Sequence, residues 1–319
     1  MRRSDHDITD KIRSTDPVAV GDEVVRLFLS LYPSGNSRPI ARAFRDMSLL
    51  YHGKHPDYHP CDTEYHDIQH VLDVTLAVAR LLDGYERHRV GYAPLPPAYF
   101  SVGIVTSLFH DVGYLRQRND RRHRFGAEYT LRHVGRGANF LRGYLPRVGL
   151  KRYAPAATNL VHFTGYERAA GTIRVDDPVL RRVGEILGTA DIIAQMSDRC
   201  YLEKCRDRLY PEFVLGGLAR RKLPSGRMVT VFRSGDDLVR QTPAFYVNAT
   251  KRLDLQLHRA YVYAEKHFGG QNMYIEEMNK NTRYAEVAMS PSGRGLLRRA
   301  PPSTLLPSVR AYPENLVIR

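Results

Sequence analysis

The chain has 319 residues, 43% of them hydrophobic, which is enough length and apolar content to bury a substantial core. Lys and Arg number 48 against 34 Asp and Glu, a formal charge of +14 that suits anionic partners such as nucleotides, nucleic acid or acidic surfaces rather than cationic ones. Three cysteines (Cys61, Cys200, Cys205) build no disulfide framework and no apolar run reaches bilayer-spanning length, so neither a disulfide scaffold nor a transmembrane segment is expected. Met1-Arg2-Arg3 is followed by no apolar signal-peptide region, and the expected location is the cytoplasm.

In chain order, residues 1–14 are charged and polar and read as a flexible N-terminus. Helical periodicity marks 17–31 and 39–51, each starting near a proline. A loop rich in His, Pro and Asp covers 52–63 and contains His52, His55 and His59. A long amphipathic helix is expected from Glu64 to about His88. After a proline-rich break at 94–97, the apolar run at 100–114 is read as a buried helix because the 97–109 segment exceeds strand length. An arginine-rich loop at 116–124 leads into helices over about 125–145 and 154–164. A long helix starts at Asp177-Pro178 and is expected to reach about Arg208. A short hairpin is placed within 226–241 and a last helix at 243–268, and after Glu286 the composition turns to Ser, Pro, Gly and Arg and suggests a flexible tail. The pattern is that of an all-α chain.

Histidines and aspartates recur in apolar settings along these elements. His66 and His70 stand four apart, which on a helix would put both rings on one face. His110 and Asp111 end the apolar run Ile104–Phe109, where a metal ion would satisfy both. His123 opens the expected helix after the arginine-rich loop, and His162 lies in Leu160-Val161-His162-Phe163. Asp191, in Thr189-Ala190-Asp191-Ile192-Ile193, is a carboxylate that is costly to bury unless paired or ligated.

The order His, His-Asp, His, His, Asp resembles the HD-domain superfamily of metal-dependent phosphohydrolases. Tyr65-His66-Asp67-Ile68-Gln69-His70-Val71-Leu72-Asp73-Val74 is similar to a segment of cyclic-nucleotide phosphodiesterases and their bacterial relatives. Leu108-Phe109-His110-Asp111-Val112-Gly113-Tyr114 resembles the HD signature, and Thr189-Ala190-Asp191 the final aspartate motif. Gln195–Lys204 resembles a segment of bacterial HD proteins. Asp67 stands where the phosphodiesterases carry Asn, and Gly113-Tyr114 follows where their pattern continues differently, so their substrate specificity does not transfer.

The resemblance implies a PDEase-like helical bundle with N- and C-terminal helical extensions. The divisions would be 15–63 for N-terminal helices and the His-rich loop, 64–212 for the metal-binding core, 213–285 for a C-terminal helical extension and 286–319 for the tail. It implies two divalent ions, Mn, Fe, Co, Ni or Zn with Mg at one site as a further option. His70, His110, Asp111 and Asp191 would hold the first, and Asp111, His123 and His162 the second. Such a pair activates a bridging water for hydrolysis of a phosphate ester, a phosphodiester or nucleotide. His66 would be the acid that protonates the leaving group. Arg116, Arg121 and Arg122 are candidates for clamping phosphate, and Gln195 and Arg199 for lining the pocket. The expected partner is an anionic phosphorylated small molecule; nucleic acid fits the charge, but no binding motif appears. Two alternatives stay open on sequence: an HD-type diiron oxygenase, and a non-catalytic nucleotide- or nucleic-acid-binding protein.

Overall fold

The computed structural model describes residues 2–89, 91, 93–293, 295–309 and 312–313. Pro17–Leu31 forms α1 and Arg38–Tyr51 forms α2, each with a proline in its first turn, where the missing N–H costs nothing. Ile68–Arg87 forms α3, in which every residue except Asp73, Glu86 and Arg87 is buried. It runs between α1, Pro97–Leu108 (α4), Pro178–Met196 (α7) and Val262–Phe268 (α12), and so is the axis of the bundle. Gly84 lets α12 approach, since a Cβ there would lie 1.9 Å from the Tyr263 carbonyl oxygen. His133–Tyr144 (α5) and Ala154–Leu160 (α6) pack against each other beside the end of α4, and α7 is capped by Asp177, which accepts from the N–H groups of Val179 and Leu180. Among the described residues the fold is all-α apart from one hairpin, and no helix is long and apolar enough to cross a membrane.

Several boundaries depart from the sequence expectation, each for a local reason. α3 starts at Ile68, because Asp67 caps it by accepting from the His70 N–H at 2.9 Å; His66 therefore precedes the helix and shares no helical face with His70. The helix expected over 125–145 is a single 3₁₀ turn at Gly126–Tyr129 followed by α5. α7 ends at Met196. Asp198 accepts from the Cys200 N–H at 2.5 Å, a local bond that competes with helix continuation, and Tyr201–Lys204 (α8) opens a new segment. Asp198 and Arg199 thus do not extend the Asp191 helix. A π-turn at Cys205–Leu209 leads into Tyr210–Leu215 (α9).

The hairpin lies earlier than expected, with Arg220–Lys222 (β1) antiparallel to Met228–Thr230 (β2), and Gly235–Arg240 is helical (α10). The last predicted helix is two, Thr242–Leu255 (α11) and α12, broken where His258 and Arg259 adopt positive φ of 46° and 55°. A further helix, Met273–Ala288 (α13), follows.

The N-terminal residues, expected to fray, fold back onto α3. Asp7 is buried, pairs with Arg80, and gathers the backbone N–H groups of Lys11 and Ile12. The expected tail begins inside α13. Farther along it, Arg208 donates to the carbonyls of Pro301 and Pro302 at 2.9 and 3.1 Å, and Thr304 donates to Asp67 at 2.7 Å. Positions 310–311 and 314–319 of that tail lie outside the described residues.

Candidate metal centre

Three elements converge on one polar point in the apolar core. α3 supplies His70, the turn after α4 supplies His110 and Asp111, and α7 supplies Asp191. One ligand atom each from His70, His110 and Asp191 falls within 4.8 Å of the others. Asp111 Oδ2 lies 3.3 Å from His70 Nε2 and 3.2 Å from His110 Nε2, and Asp191 Oδ1 lies 3.4 and 3.8 Å from the same two nitrogens. The two Nε2 atoms are 3.4 Å apart. His110 Nδ1 is 2.7 Å from the Ser107 carbonyl, which can only accept, so Nδ1 carries a proton and Nε2 is the nitrogen turned to the cluster.

Lone pairs and carboxylates crowded in this way repel unless protons or a cation sit among them. Burial alone would lower His70, but the Asp111 and Asp191 carboxylates beside it outweigh burial and push it up to about 10. Burial works against His110 as well, and the Asp111 charge still raises it. Asp111 stays well below the carboxylate range despite burial, because the His110 charge favours its ionised form. Asp111 Oδ2 is nonetheless buried without a hydrogen bond. The donor set, two imidazoles and two carboxylates around an unsatisfied oxygen, fits a divalent cation such as Zn, Mn, Fe, Co or Ni, whose charge would replace those protons.

A second group of side chains borders the first through Asp111 Oδ1, which lies 3.6 Å from His133 Nε2. Each imidazole here is held by its Nδ1. His133 Nδ1 donates to the Thr130 carbonyl at 2.6 Å, His162 Nδ1 bonds Glu167 Oε1 at 2.6 Å, and His66 Nδ1 bonds Glu212 Oε2 at 2.5 Å. Tying Nδ1 to an oxygen sets the tautomer and leaves Nε2 as the reactive nitrogen, the arrangement expected of metal-ligating and proton-transferring histidines. Burial also pushes His133 below its ordinary pKa against the pull of Asp111, which keeps it neutral. Tyr114 stacks on both His66 and His133, with ring centroids 4.4 Å away in each case, and the His66 ring is 5.7 Å from that of His70.

Glycines allow this convergence. A Cβ on Gly113 would lie 1.9 Å from the His133 carbonyl, and one on Gly137 would lie 2.9 Å from the His110 carbonyl, so the start of α5 can close directly onto the His110-Asp111 turn. Gly188 in α7 would likewise place a Cβ 2.4 Å from the Phe163 carbonyl, next to His162.

The remaining sequence candidates fall in different places. Both His123 nitrogens are occupied, Nδ1 by Asp120 at 3.0 Å and Nε2 by the Arg132 guanidinium at 2.9 Å, and the ring makes no contact with Asp111. His162 is buried and oriented by Glu167, also without direct contact to the four central residues. Arg116 is engaged by Asp62 at 3.1 Å and the His123 carbonyl at 3.3 Å, while Arg121 and Arg122 are exposed. Gln195 accepts from the Tyr65 hydroxyl at 2.9 Å and donates to the Asp191 carbonyl at 2.9 Å, joining the wall beside His66 to α7. Arg199 lines a separate cavity with Arg2, Asp7 and Arg80, under the N-terminal segment.

Sequence reasoning missed His133 and Glu212. His133 carried a signal in Gly113 and Gly137, two small residues that make room for it. Glu212 carried none. It is fully buried 146 positions after His66 and also accepts from the Tyr65 N–H at 2.7 Å, so only the chain path through the π-turn brings it there.

No family model matches the chain, and no curated protein matches it. Among solved structures, the chain is similar to the phosphodiesterase domain of a RhoPDE fusion protein from the choanoflagellate Salpingoeca rosetta, at 12% identity and a TM-score of 0.48, over 91% of this chain and 95% of that one. At that identity and score the likeness bears no weight, and the functional reading rests on the site itself.

Proposed function

We propose that the protein is a metal-dependent hydrolase of phosphate esters, of phosphodiesters or nucleotides in particular. The observation that carries this reading is the buried cluster of His70, His110, Asp111 and Asp191 with an imidazole–carboxylate pair, His66–Glu212, at its edge. The HD-like order of these residues supports it. His70, His110, Asp111 and Asp191 would hold one divalent ion, and Asp111, His133 and His162 a second, with His133 in the place that sequence reasoning gave to His123. Bound divalent ions neutralise phosphoryl oxygens and lower the pKa of water.

The protein's own residues supply the rest. Glu212 holds His66 through Nδ1 and orients the ring, so that Nε2 can give a proton to a departing alkoxide. Tyr114 supports the faces of His66 and His133 and fixes their spacing. Buried apolar walls from α3, α4 and α7 limit water around the reacting group.

The test is metal analysis of the purified protein together with hydrolysis of bis(p-nitrophenyl) phosphate and nucleotides under Mn, Fe, Co, Ni, Zn and Mg. Metal-dependent release of alcohol or nucleoside product is expected. Oxygen consumption with no ester cleaved under any metal would overturn the reading in favour of a diiron oxygenase.

A further inference from the structure

Residues 213–235 carry five basic side chains, Arg220, Arg221, Lys222, Arg227 and Arg233, and no acidic one. They form the β1–β2 hairpin, whose register pairs Arg220 with Thr230, Arg221 with Val229 and Lys222 with Met228. The register sets none of the three β1 cations directly opposite an acidic residue. β1 is exposed along its whole length, and the side chains of Arg221, Lys222 and Arg227 form no ion pair among the described residues. The root is anchored: the Phe213 and Phe232 rings lie 5.6 Å apart, and Tyr210 donates to the Arg233 carbonyl at 2.8 Å.

The position of that root gives the charge a direction. It grows from α9, the helix that carries Glu212 to His66. A Cβ on Gly216 would lie 2.4 Å from Thr130 Oγ1 and 2.9 Å from the Ala127 carbonyl, so the root abuts the segment that links the arginine-rich loop to His133. Arg121, Arg122 and Arg124 of that loop are also exposed and in no ion pair among the described residues. Two exposed basic segments therefore adjoin one wall of the candidate site.

We propose that this hairpin is a docking arm for the sugar–phosphate backbone of a single-stranded oligonucleotide, which makes an oligonucleotide phosphodiester the substrate of the site. The inference rests on the hydrolase reading above for its second half only. Exposed cations on both faces of β1 and at the turn spread positive charge along the hairpin, which fits a linear polyanion; a mononucleotide needs a concave pocket. Arginine predominates, and its planar guanidinium grips phosphate bidentately. An acidic membrane would instead call for apolar side chains to insert, and Met228 is the only large hydrophobic residue the hairpin exposes. Phosphate contacts alone carry no sequence information, so binding is indifferent to base.

The experiment uses the full chain and its R221Q/K222Q/R227Q variant, with folding of both compared by circular dichroism and thermal melting. Binding of a fluorescein-labelled oligodeoxythymidylate is read by anisotropy across a salt series without added metal. The variant is expected to bind at least ~10-fold more weakly at low salt, and the slope of log affinity against log salt to fall by about 2, since roughly 0.7 counterions are released per neutralised phosphate of a single strand. With metal, KM for the oligonucleotide is expected to rise by a similar factor, while cleavage of bis(p-nitrophenyl) phosphate, too short to reach the arm, stays within about 2-fold. Unchanged oligonucleotide affinity in a folded variant overturns the proposal. So does arm-dependent binding of phosphatidylserine vesicles with none of oligonucleotide. If the triple variant does not fold, K222Q alone, expected to lower the salt slope by about 0.7, decides in the same way. Arm-dependent oligonucleotide binding with no cleavage of any ester would uphold the arm and remove the hydrolase reading.

Discussion

The two halves of the candidate centre are built on different supports. His70 projects from the first turn of α3 and Asp191 from the last third of α7, with His110 and Asp111 just past the end of α4, and their positions follow from how α3, α4 and α7 pack. His66, His133, His162 and Glu212 sit on a loop, a helix start, a 3₁₀ turn and a short helix after a π-turn, and each of these imidazoles is held by an oxygen on Nδ1. Helix packing places the first half. Individual hydrogen bonds place the second, which should therefore be easier to perturb without unfolding the protein.

Asp111 joins the halves, with Oδ2 toward His70 and His110 and Oδ1 toward His133. Asp111→Ala should have the largest effect, metal loss with a fall in hydrolysis of roughly 10³-fold or more, because it removes the carboxylate shared by both halves. Mass-spectrometric metal content measured beside activity decides this; full metal content with near-normal turnover would refute the assignment.

The comparison of His133 with His123 sharpens the second half. His133→Ala is expected to lower metal stoichiometry and reduce turnover by about 10²-fold or more, whereas His123→Ala, whose ring already serves Asp120 and Arg132, should change turnover by less than about 5-fold. The reverse order would restore the ligand set implied by sequence. His66→Ala should keep the metal and slow an ester with a poor leaving group by about 10²–10⁴-fold, and an activated aryl ester much less. Glu212→Gln, acting only through His66, should show the same leaving-group dependence at about a tenth of the size or less. An equal loss on both esters would mean that Glu212 merely supports the fold.

The N-terminal anchor is the contrast to both halves. Burial would raise the Asp7 carboxyl, but the Arg80 guanidinium overrides it and holds it below its usual value. A depressed carboxyl contributes stability that is present above its unfolded pKa, near 3.9, and is lost as pH falls through the folded value. Thermal melts should therefore show Asp7→Asn less stable than the parent at pH 7, by about 3 kcal/mol for one side of a buried pair, with the gap narrowing below about pH 4. Turnover of the folded variant is expected within about 3-fold of the parent. A gap that widened on acidification would mean that Asp7 is not ionised in the native state.

The sequence alone carried the all-α class and the cores of α1 to α4 and α7, and its family resemblance pointed to His70, His110, Asp111 and Asp191 as one set. Apolar periodicity sets which face of a helix is buried, and a His or Asp on that face needs a partner wherever the chain leads. It could not carry what depends on contacts between distant segments. A lone pair is available only if both ring nitrogens are not already used. His123 and His133 look alike in sequence, and only the fold sets their partners: Asp120 and Arg132 on the two nitrogens of the first, and the Thr130 carbonyl on Nδ1 of the second. Glu212 reaches His66 from 146 residues away, and Asp7 reaches Arg80 across 73, because burying a charge without a partner costs more than ordering the chain that brings one. Sequence periodicity thus determined what must be buried, and tertiary structure decided which polar group would meet it there.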